Sequence, residues 1–198
     1  NIAVDNQGVQ TGMLNYAVKN TGVQWGIGNI NTQAPKGVQI GILNISCDST
    51  AHQIGLINLN PASRAQIIMG GGNLNKLSLS VRIKGRHTYT EWGAGAYFLG
   101  LDEKPSASAF YRAGIYFPLS KQWTLSGDAG YHHIETFKNK DAGYPARMYA
   151  LQPRINLEYS ITRKLAVFAS GGYSWTRAYG HTHLFEHKAT FEAGIILF

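Results

Sequence analysis

The sequence predicts an all-β fold, an antiparallel up-and-down β-barrel that spans a membrane. Charged residues make up 15% of the 198 residues, against roughly 25% in an average soluble domain. Glycine supplies 23 positions, and the mean hydropathy is only −0.17. No apolar run approaches the ~18 residues of a membrane-spanning helix, so spanning helices are excluded. A membrane-spanning β-barrel is not excluded, because its apolar residues alternate with polar ones and so form no long apolar run.

The second half of the chain alternates with the period of a β-strand, in which successive side chains point to opposite faces. Segment 148–161 is the clearest case. Its apolar face holds Tyr149, Leu151, Pro153, Ile155, Leu157, Tyr159 and Ile161. Its other face holds Met148, Ala150, Gln152, Arg154, Asn156, Glu158 and Ser160. Segments 77–84, 108–117, 123–132, 165–176 and 190–197 follow the same pattern.

Segment length and loop length favour a membrane barrel over a soluble β-sandwich. Strands of a sandwich run to ~5–6 residues, whereas a tilted membrane strand needs ~9–11, which these segments meet. The connectors alternate between short, at 119–122 and 162–164, and long and polar, at 138–146 and 180–187. Short turns at one end and long loops at the other are typical of outer-membrane barrels. Aromatic residues fall near the strand ends, as interfacial girdles do.

The first third of the chain is a repeat. Gly8-Val9-Gln10-Thr11-Gly12-x-x-Asn15 recurs from Gly22 to Asn29 and again from Gly37 to Asn44. Looser copies end at Asn58 and Asn73, and Asn1 lies where an earlier copy would end. The spacing fits one strand of 8–10 residues and a tight turn per repeat. A two-faced solenoid with one turn per repeat is the alternative.

The strand count depends on how these repeats fold. We favour about 12 strands in a single barrel domain spanning 1–198, with short-strand repeats in 1–73 and long amphipathic strands in 74–198. If the repeats form a separate layer, the strands from residue 65 onward still close an eight-stranded barrel. The twelve strands lie near 8–18, 22–31, 37–46, 52–60, 65–73, 76–84, 88–101, 108–118, 123–136, 147–161, 165–179 and 188–198.

The last strand and the repeats resemble features of known proteins. The strand from Phe191 to Phe198 is amphipathic and ends on phenylalanine, like the terminal signal that the barrel assembly machinery reads in bacterial outer-membrane barrels, although Phe198 falls on the polar parity. The Gly-Val-Gln-x-Gly-x-x-Asn units are similar to short surface repeats of uncharacterised Gram-negative outer-membrane proteins, including those of gut Bacteroidota. The resemblance implies a bacterial outer-membrane location. It also implies membrane lipid, lipopolysaccharide and the assembly machinery as partners, and leaves room for a larger outer-membrane complex.

Charged residues on the polar faces are the first candidate site. Lone charges are costly away from water, so opposite signs at similar depth should pair or line a channel. We expect a network that holds a narrow barrel shut, with a selectivity lining for a small polar solute as the alternative. The predicted interior charges are Arg82, Glu91, Arg112, Asp128, Arg154, Glu158 and Glu192.

Histidines form the second candidate site, since histidine is the commonest metal ligand and titrates near neutrality. Five of the seven are predicted at one end of the barrel, where they could bind a metal or another ligand. They are His132, His133, His181, His183 and His187. Solvated loop histidines are the simpler interpretation, so no cofactor is predicted.

Other functional classes find less support. The single cysteine, Cys47, excludes an internal disulfide, and the basic residues that give the net charge of +7 are too dispersed for a nucleic-acid site. A Ser-His-acid relay could draw on Ser170 or Ser174 with His181 and Glu186, but no G-x-S-x-G elbow is present. We therefore predict a non-catalytic structural or surface barrel, or a narrow pore with specificity in its outer loops. An enzyme acting on outer-leaflet lipid or lipopolysaccharide and a small subunit of a larger complex are the alternatives.

Overall fold

A computed structural model describes residues 1–34, 36–97, 106–137, 145–180 and 184–198. Within these residues the chain forms strands throughout, with no helix long and apolar enough to cross a membrane. The strands are β1 (Ile2–Asn6), β2 (Val9–Thr11), β3 (Leu14–Asn20), β4 (Val23–Gln33), β5 (Val38–Ser46), β6 (His52–Leu59), β7 (Arg64–Gly72), β8 (Asn75–Lys84), β9 (Thr88–Tyr97), β10 (Ser106–Pro118), β11 (Trp123–Glu135), β12 (Arg147–Ser160), β13 (Leu165–Ala178) and β14 (Leu184–Leu197).

The chain divides into two compact units. The repeat unit comprises residues 1–65 together with 83–90, and the barrel unit comprises 66–82 and 91–198. Strand β7 (Arg64–Gly72), which lies within the expected repeat segment 1–73, is a barrel strand. The prediction of an all-β barrel is confirmed.

Strands β7 to β14 close the barrel in chain order, with β14 pairing back onto β7. The pairs from β10 round to β7 are antiparallel, and Ile195 is opposite Met69 at the seam. Side chains alternate strictly along β12, where Gln152, Arg154 and Asn156 are buried and Leu151 and Ile155 are exposed. The barrel thus has eight strands, and the favoured count of twelve is wrong.

Strands β1 to β6 form a separate sheet of parallel ladders, a geometry that cannot continue an antiparallel barrel. Equivalent positions of consecutive repeats are directly paired, as with Asn29 and Asn44, or Asn44 and Asn58. Each repeat is therefore one coil stacked on the previous one, and the solenoid alternative is the architecture that the repeats adopt. Asn73 lies outside this stack, in the β7–β8 turn, where its side chain bonds to the backbone of β14.

Each coil folds back on itself. The Nε2 atom of Gln39 donates to the carbonyl oxygen of Ile45 at 3.2 Å, although six residues of extended strand would span about 20 Å. The other coils repeat this bond, as between Gln53 and Leu59 at 3.1 Å. Each coil is thus an arch of two arms. We call residues 12–14, 26–28, 41–43 and 55–57 the corner edge, and residues 5–8, 19–22, 36–37 and 47–51 the turn edge.

Amide side chains fill the space between the two arms. The asparagine ladder runs from Asn15 to Asn29 at 2.9 Å, then to Asn44 and Asn58 at 2.8 Å each. Each donor also reaches a backbone carbonyl, as in the bond from Asn29 to the oxygen of Ile40 at 2.9 Å. A parallel glutamine ladder links Gln10, Gln24, Gln39 and Gln53 at 2.9–3.1 Å. These amides are buried, so they are the core of the solenoid.

The second glycine of the motif is required by the close stacking of the coils. A Cβ atom added to Gly41 would lie 2.1 Å from the carbonyl oxygen of Gly26. At Gly55 the same atom would lie 1.9 Å from the carbonyl oxygen of Gly41. Contacts that short are impossible, so glycine at this position allows the ladder to form.

Candidate functional site: the barrel interior

All seven predicted interior charges lie inside the barrel, where each is nearly or fully buried. They come from six of the eight strands and face one another because every one occupies the polar parity of its strand. They form two neighbouring ion-pair clusters at different depths. The first is centred on Arg82 and the second on Asp128.

Arg82 on β8 holds two carboxylates. Its Nε atom lies 3.2 Å from Oε2 of Glu91, and its Nη1 atom lies 2.5 Å from Oε1 of Glu158. The other oxygen of Glu91 accepts a hydrogen bond from Ser80 at 2.8 Å. The guanidinium therefore ties β8 to β9 and to β12 on the far side of the interior.

Asp128 on β11 is the centre of the second cluster. Arg154 engages both of its oxygens, through Nε at 3.1 Å and Nη2 at 3.0 Å, and Asn156 donates to Oδ2 at 2.9 Å. Arg154 also pairs with Glu192 on β14. Glu192 in turn accepts from Ser78 on β8 at 2.8 Å. This bidentate, multiply bonded arrangement is the geometry in which a buried ion pair is well satisfied.

Arg112 on β10 extends the second cluster toward the loop end of the barrel. It lies 3.4 Å from Asp128 and donates through Nη2 to Oε1 of Gln152 at 3.0 Å. The same nitrogen lies 2.8 Å from Nε2 of His132. Because a guanidinium can only donate, the ring nitrogen of His132 is the acceptor in this contact.

Apolar clusters close the interior on both sides of these charges. Toward the short turns, Ile68, Ala166, Phe168 and Ile196 are packed together. The cluster toward the long loops comprises Leu74, Tyr97, Ile134, Met148, Ala150 and Ala178. Eight-stranded barrels have interiors just wide enough for side chains to fill. The charged residues therefore lie in a packed core.

The outer surface of the barrel has the opposite polarity. Between Tyr149 and Tyr159 on β12, the outward residues Leu151, Ile155 and Leu157 are 49%, 66% and 40% exposed. Trp123 packs against Tyr159 at one end of this band, with ring centroids 4.8 Å apart. Tyr131 and Tyr179 surround Tyr149 at the other end. The step from Tyr149 to Tyr159 spans about 33 Å of strand. At a tilt of ~40° this gives a band ~25 Å tall.

Of the five histidines predicted at one end of the barrel, the structure describes His132, His133 and His187. His132 points into the interior and stacks on Phe110 at 4.9 Å, whereas His133, the next residue, points outward. His133 bonds to the hydroxyl group of Tyr179 at 2.9 Å and to Glu135 at 3.2 Å. His187 on β14 stacks on Tyr173 at 6.0 Å. His132 lies inside the barrel because it occupies the same face of β11 as Asp128.

His181 and His183 lie outside the described residues. Within the residues that are described, no three His, Cys, Asp or Glu side chains form a group that could hold a metal ion.

The serines of the possible relay lie inside the barrel. Ser174 is buried and accepts a hydrogen bond from Gln152 at 3.2 Å, while Ser170 donates to the backbone oxygen of Glu192 at 3.3 Å. Glu186 pairs with Lys188. These contacts place the two serines in the interior hydrogen-bond network.

Sequence reasoning did not single out several members of the interior network. Ser78 and Ser80 donate to the carboxylates of Glu192 and Glu91, while Gln152 accepts from Arg112 and Asn156 donates to Asp128. Their strand parity, the same as that of the neighbouring charges, was the available signal. The amide ladders of the repeats also escaped the sequence interpretation.

These features define a closed eight-stranded β-barrel with an apolar outer band and an ion-paired interior, the polarity typical of barrels that span a bilayer. No protein-family model and no curated protein matches the sequence. Solved structures that are similar to two thirds of this chain at low identity include the following two. One is Neisserial surface protein A (11% identity, TM-score 0.38, covering 67% of this chain and 93% of that chain). The other is Ail, the attachment invasion locus protein of Yersinia pestis (16% identity, TM-score 0.35, covering 67% and 92%). Similarity this low establishes no relationship, and the barrel assignment rests on the strand pairing of this chain.

Proposed function

We propose that the chain is a bacterial outer-membrane β-barrel that acts as a non-catalytic structural or surface protein, with a lumen that does not conduct. The observation that supports this most directly is the combination of an apolar outer band with a sealed, ion-paired interior. A soluble barrel would gain nothing from exposing Leu151, Ile155 and Leu157 in one row. A pore, in turn, would need water around its charged lining, whereas Arg82 and Arg112 are 2% and 1% exposed.

The loop end of the barrel is the part that we propose contacts lipid headgroups and lipopolysaccharide. Tyr149 lies 6.0 Å from Tyr131 and 5.3 Å from Tyr179, ring centroid to centroid, on the outer surface. Arg147 lies beside them with its side chain 69% exposed and paired with Glu135 at 2.8 Å. Tyrosine suits a membrane interface because its ring is apolar and its hydroxyl is polar. The exposed guanidinium suits a lipid phosphate.

Strand β14 supports a role for the barrel assembly machinery during insertion. It closes the barrel against β7, and its outward side chains Phe191, Ile195 and Leu197 are 65%, 38% and 38% exposed. We also propose that the barrel associates with a larger outer-membrane complex. It is tested by co-purification in mild detergent.

The test of the proposed function has two parts. Detergent-refolded protein should show a heat-dependent shift in gel mobility, the property of a closed barrel, and should insert into lipid vesicles. In a planar bilayer the inserted protein should give no steady channels. Steady conductance that changes on Arg112→Gln would refute the closed lumen and show that the protein is a pore. A protein that never forms a heat-resistant, lipid-inserted species would refute the membrane assignment.

A further inference from the structure

The solenoid of the repeat unit has its polarity reversed relative to a water-soluble domain. Its core consists mainly of amides, and most of its outward positions near the corner edge are apolar on both arms of the coils. Along the first arm Trp25 is 62% exposed, at the corner edge Met13 is 74% and Ile42 is 49% exposed, and on the second arm Ile30 is 40% exposed. Stacking in register extends each of these positions into a row. The outward rows are Val9, Val23, Val38 and His52; Thr11, Trp25, Ile40 and Ile54; Met13, Ile27, Ile42 and Leu56; Leu14, Gly28, Leu43 and Ile57; and Tyr16, Ile30, Ile45 and Leu59. Apolar side chains therefore dominate every row, with Thr11 and His52 as the polar members.

Charges in the coils are confined to the opposite edge. Residues 1–60 contain four charged side chains, Asp5, Lys19, Lys36 and Asp48, and all four lie on the turn edge. Asp5 and Lys19 are direct partners in the β1–β3 ladder. The corner edge contains no charged residue. The coils are therefore amphipathic from edge to edge.

Few polar groups of the coils face outward near the corner edge. The backbone groups are engaged in the parallel ladders, and the amides of Gln24, Gln39, Asn29 and Asn44 bond to one another between the arms. At the corner itself, Gly12, Gly26 and Gly41 line a shallow groove flanked by Trp25 and Ile27. A surface whose polar groups are satisfied internally can enter hydrocarbon without the penalty of bare backbone groups.

We propose that the corner edge of the solenoid inserts into the acyl-chain layer of a lipid bilayer, with the turn edge in the headgroup region or water. Apolar residues cover both arms as well as the corner, so the surface to be covered is convex. A fluid hydrocarbon phase can surround a convex edge, whereas the flat surface of a protein partner or of a second copy would cover one arm. This insertion is additional to that of the barrel and involves a different unit of the chain.

The experiment uses nitroxide spin labels on full-length protein reconstituted in phospholipid vesicles. Native Cys47 is exposed on the turn edge and serves as the aqueous site. In a Cys47→Ser background, Ile42→Cys and Ile27→Cys report on the corner edge, where exposed side chains tolerate replacement. Ile155→Cys on the barrel exterior is the matched control. Accessibility is measured by collision with oxygen, which concentrates in hydrocarbon, and with a water-soluble nickel chelate.

Labels at 42 and 27 are expected to collide with oxygen at least several-fold more than the label at 47, and with the nickel chelate several-fold less. Labels at 42 and 27 that collide freely with the chelate would overturn the proposal. Labels protected from both reagents would indicate a protein partner or a second copy and would also overturn it. The label at 155 separates the two proposals, since water access there refutes the membrane barrel, while lipid access at 155 with water access at 42 refutes the solenoid insertion alone. Amide exchange of residues 38–46 verifies that each variant keeps the coils folded.

Discussion

At the scale of single residues, the clearest feature is the absence of a side chain at the second glycine of each repeat. Gly26, Gly41 and Gly55 lie so close to the preceding coil that a methyl group would overlap a carbonyl oxygen. The backbone would have to move to make room. Moving the backbone would also stretch the amide ladder, because a Cβ atom on Gly41 would lie 2.6 Å from the Nδ2 atom of Asn29.

Gly41→Ala is therefore expected to destabilise the solenoid by about 1–3 kcal/mol, the usual cost of overpacking. Gly8→Ala is the matched control, because a Cβ atom there meets nothing within 4 Å. Hydrogen exchange read by mass spectrometry should show faster exchange of residues 38–46 in Gly41→Ala and unchanged exchange in Gly8→Ala. Equal protection in both variants would mean that the coils are not stacked as described.

Asp48 on the turn edge provides a second prediction at this scale. Its Oδ1 atom accepts hydrogen bonds from the hydroxyl and backbone amide of Thr50 at 2.7 and 2.8 Å, and its Oδ2 atom accepts from the amide of Ala34 at 2.9 Å. These hydrogen bonds lower the pKa of Asp48 below its usual 3.8, and the bond from the Thr50 hydroxyl group has the largest effect. A lowered pKa in the folded state stabilises the fold above the unfolded pKa, and the stabilisation is lost as the pH falls through the folded value.

NMR titration of the Asp48 carboxyl group should therefore give a pKa below 3.8, and Thr50→Ala should raise it toward that value. Ser49→Ala, which removes the neighbouring hydroxyl group, is the control and should leave the titration where it is. If Thr50→Ala has no effect on the titration, the hydroxyl bond to Asp48 is absent in solution.

At the scale of elements, the strands of the barrel were readable from sequence and the coils of the solenoid were not. Strict alternation in 148–160 identified both faces of β12, and with them the inward position of Arg154. In the repeat, Val38, Ile40, Ile42 and Asn44 share one parity, which places Asn44 on the apolar face of a straight strand. The corner at 41–43 breaks that parity and turns Asn44 inward. A bend of this kind is set by the bonds between stacked coils, which single-strand alternation cannot reveal.

The same parity argument explains the histidines. His132 shares the parity of Asp128 and Gly130, so the pattern itself placed it inside, and grouping it with the loop histidines ignored that signal. The strand count was wrong for another reason. Short segments with tight connectors fit an antiparallel barrel and a parallel solenoid equally well, and only the register of the stacked asparagines distinguishes the two.

Because the coils stack in register, a whole coil should be removable. Deleting residues 38–51 joins Gly37, where a Cβ atom would lie 2.1 Å from the carbonyl oxygen of Asn20, directly to His52. Gln53 and Asn58 then take the ladder positions of Gln39 and Asn44, which lie 14 residues before them. We expect a folded protein with a shorter solenoid and an unchanged heat-shifted barrel. Deleting residues 38–50 is the control, since it keeps Gly37 and a slip of one residue turns the amides outward. Circular dichroism and hydrogen exchange should show ordered coils in the first variant and loss of protection in the second.

At the scale of the whole molecule, interior ion pairs link strands that are not neighbours in the barrel, such as β8 with β12 and β12 with β14. Arg154 joins β12 to Asp128 on β11 and to Glu192 on β14. Removing the guanidinium leaves the buried carboxylates of Asp128 and Glu192 without this positive partner. Arg154→Met is expected to destabilise the barrel by about 3–5 kcal/mol, the typical result of breaking a buried pair.

Unfolding by urea in detergent micelles, followed by the heat-shifted gel band, measures this effect. Arg163→Met, in the exposed turn between β12 and β13, is the control and should change the free energy of unfolding by no more than about 0.5 kcal/mol. If both variants unfold at the same urea concentration, the interior pairs do not hold the barrel together.

The seam between β7 and β14 has a consequence for the order in which the chain folds. Ser78 and Glu192, which bond across the interior beside this seam, are 114 residues apart, whereas the coils of the solenoid meet at separations of 14 or 15. Closing a long loop costs more chain entropy than closing a short one, and contacts between distant residues form slowly. The solenoid is therefore expected to assemble early, from neighbours along the chain. The barrel closes only when β14 pairs with β7. Loss of β14 would therefore leave a folded solenoid attached to an open sheet.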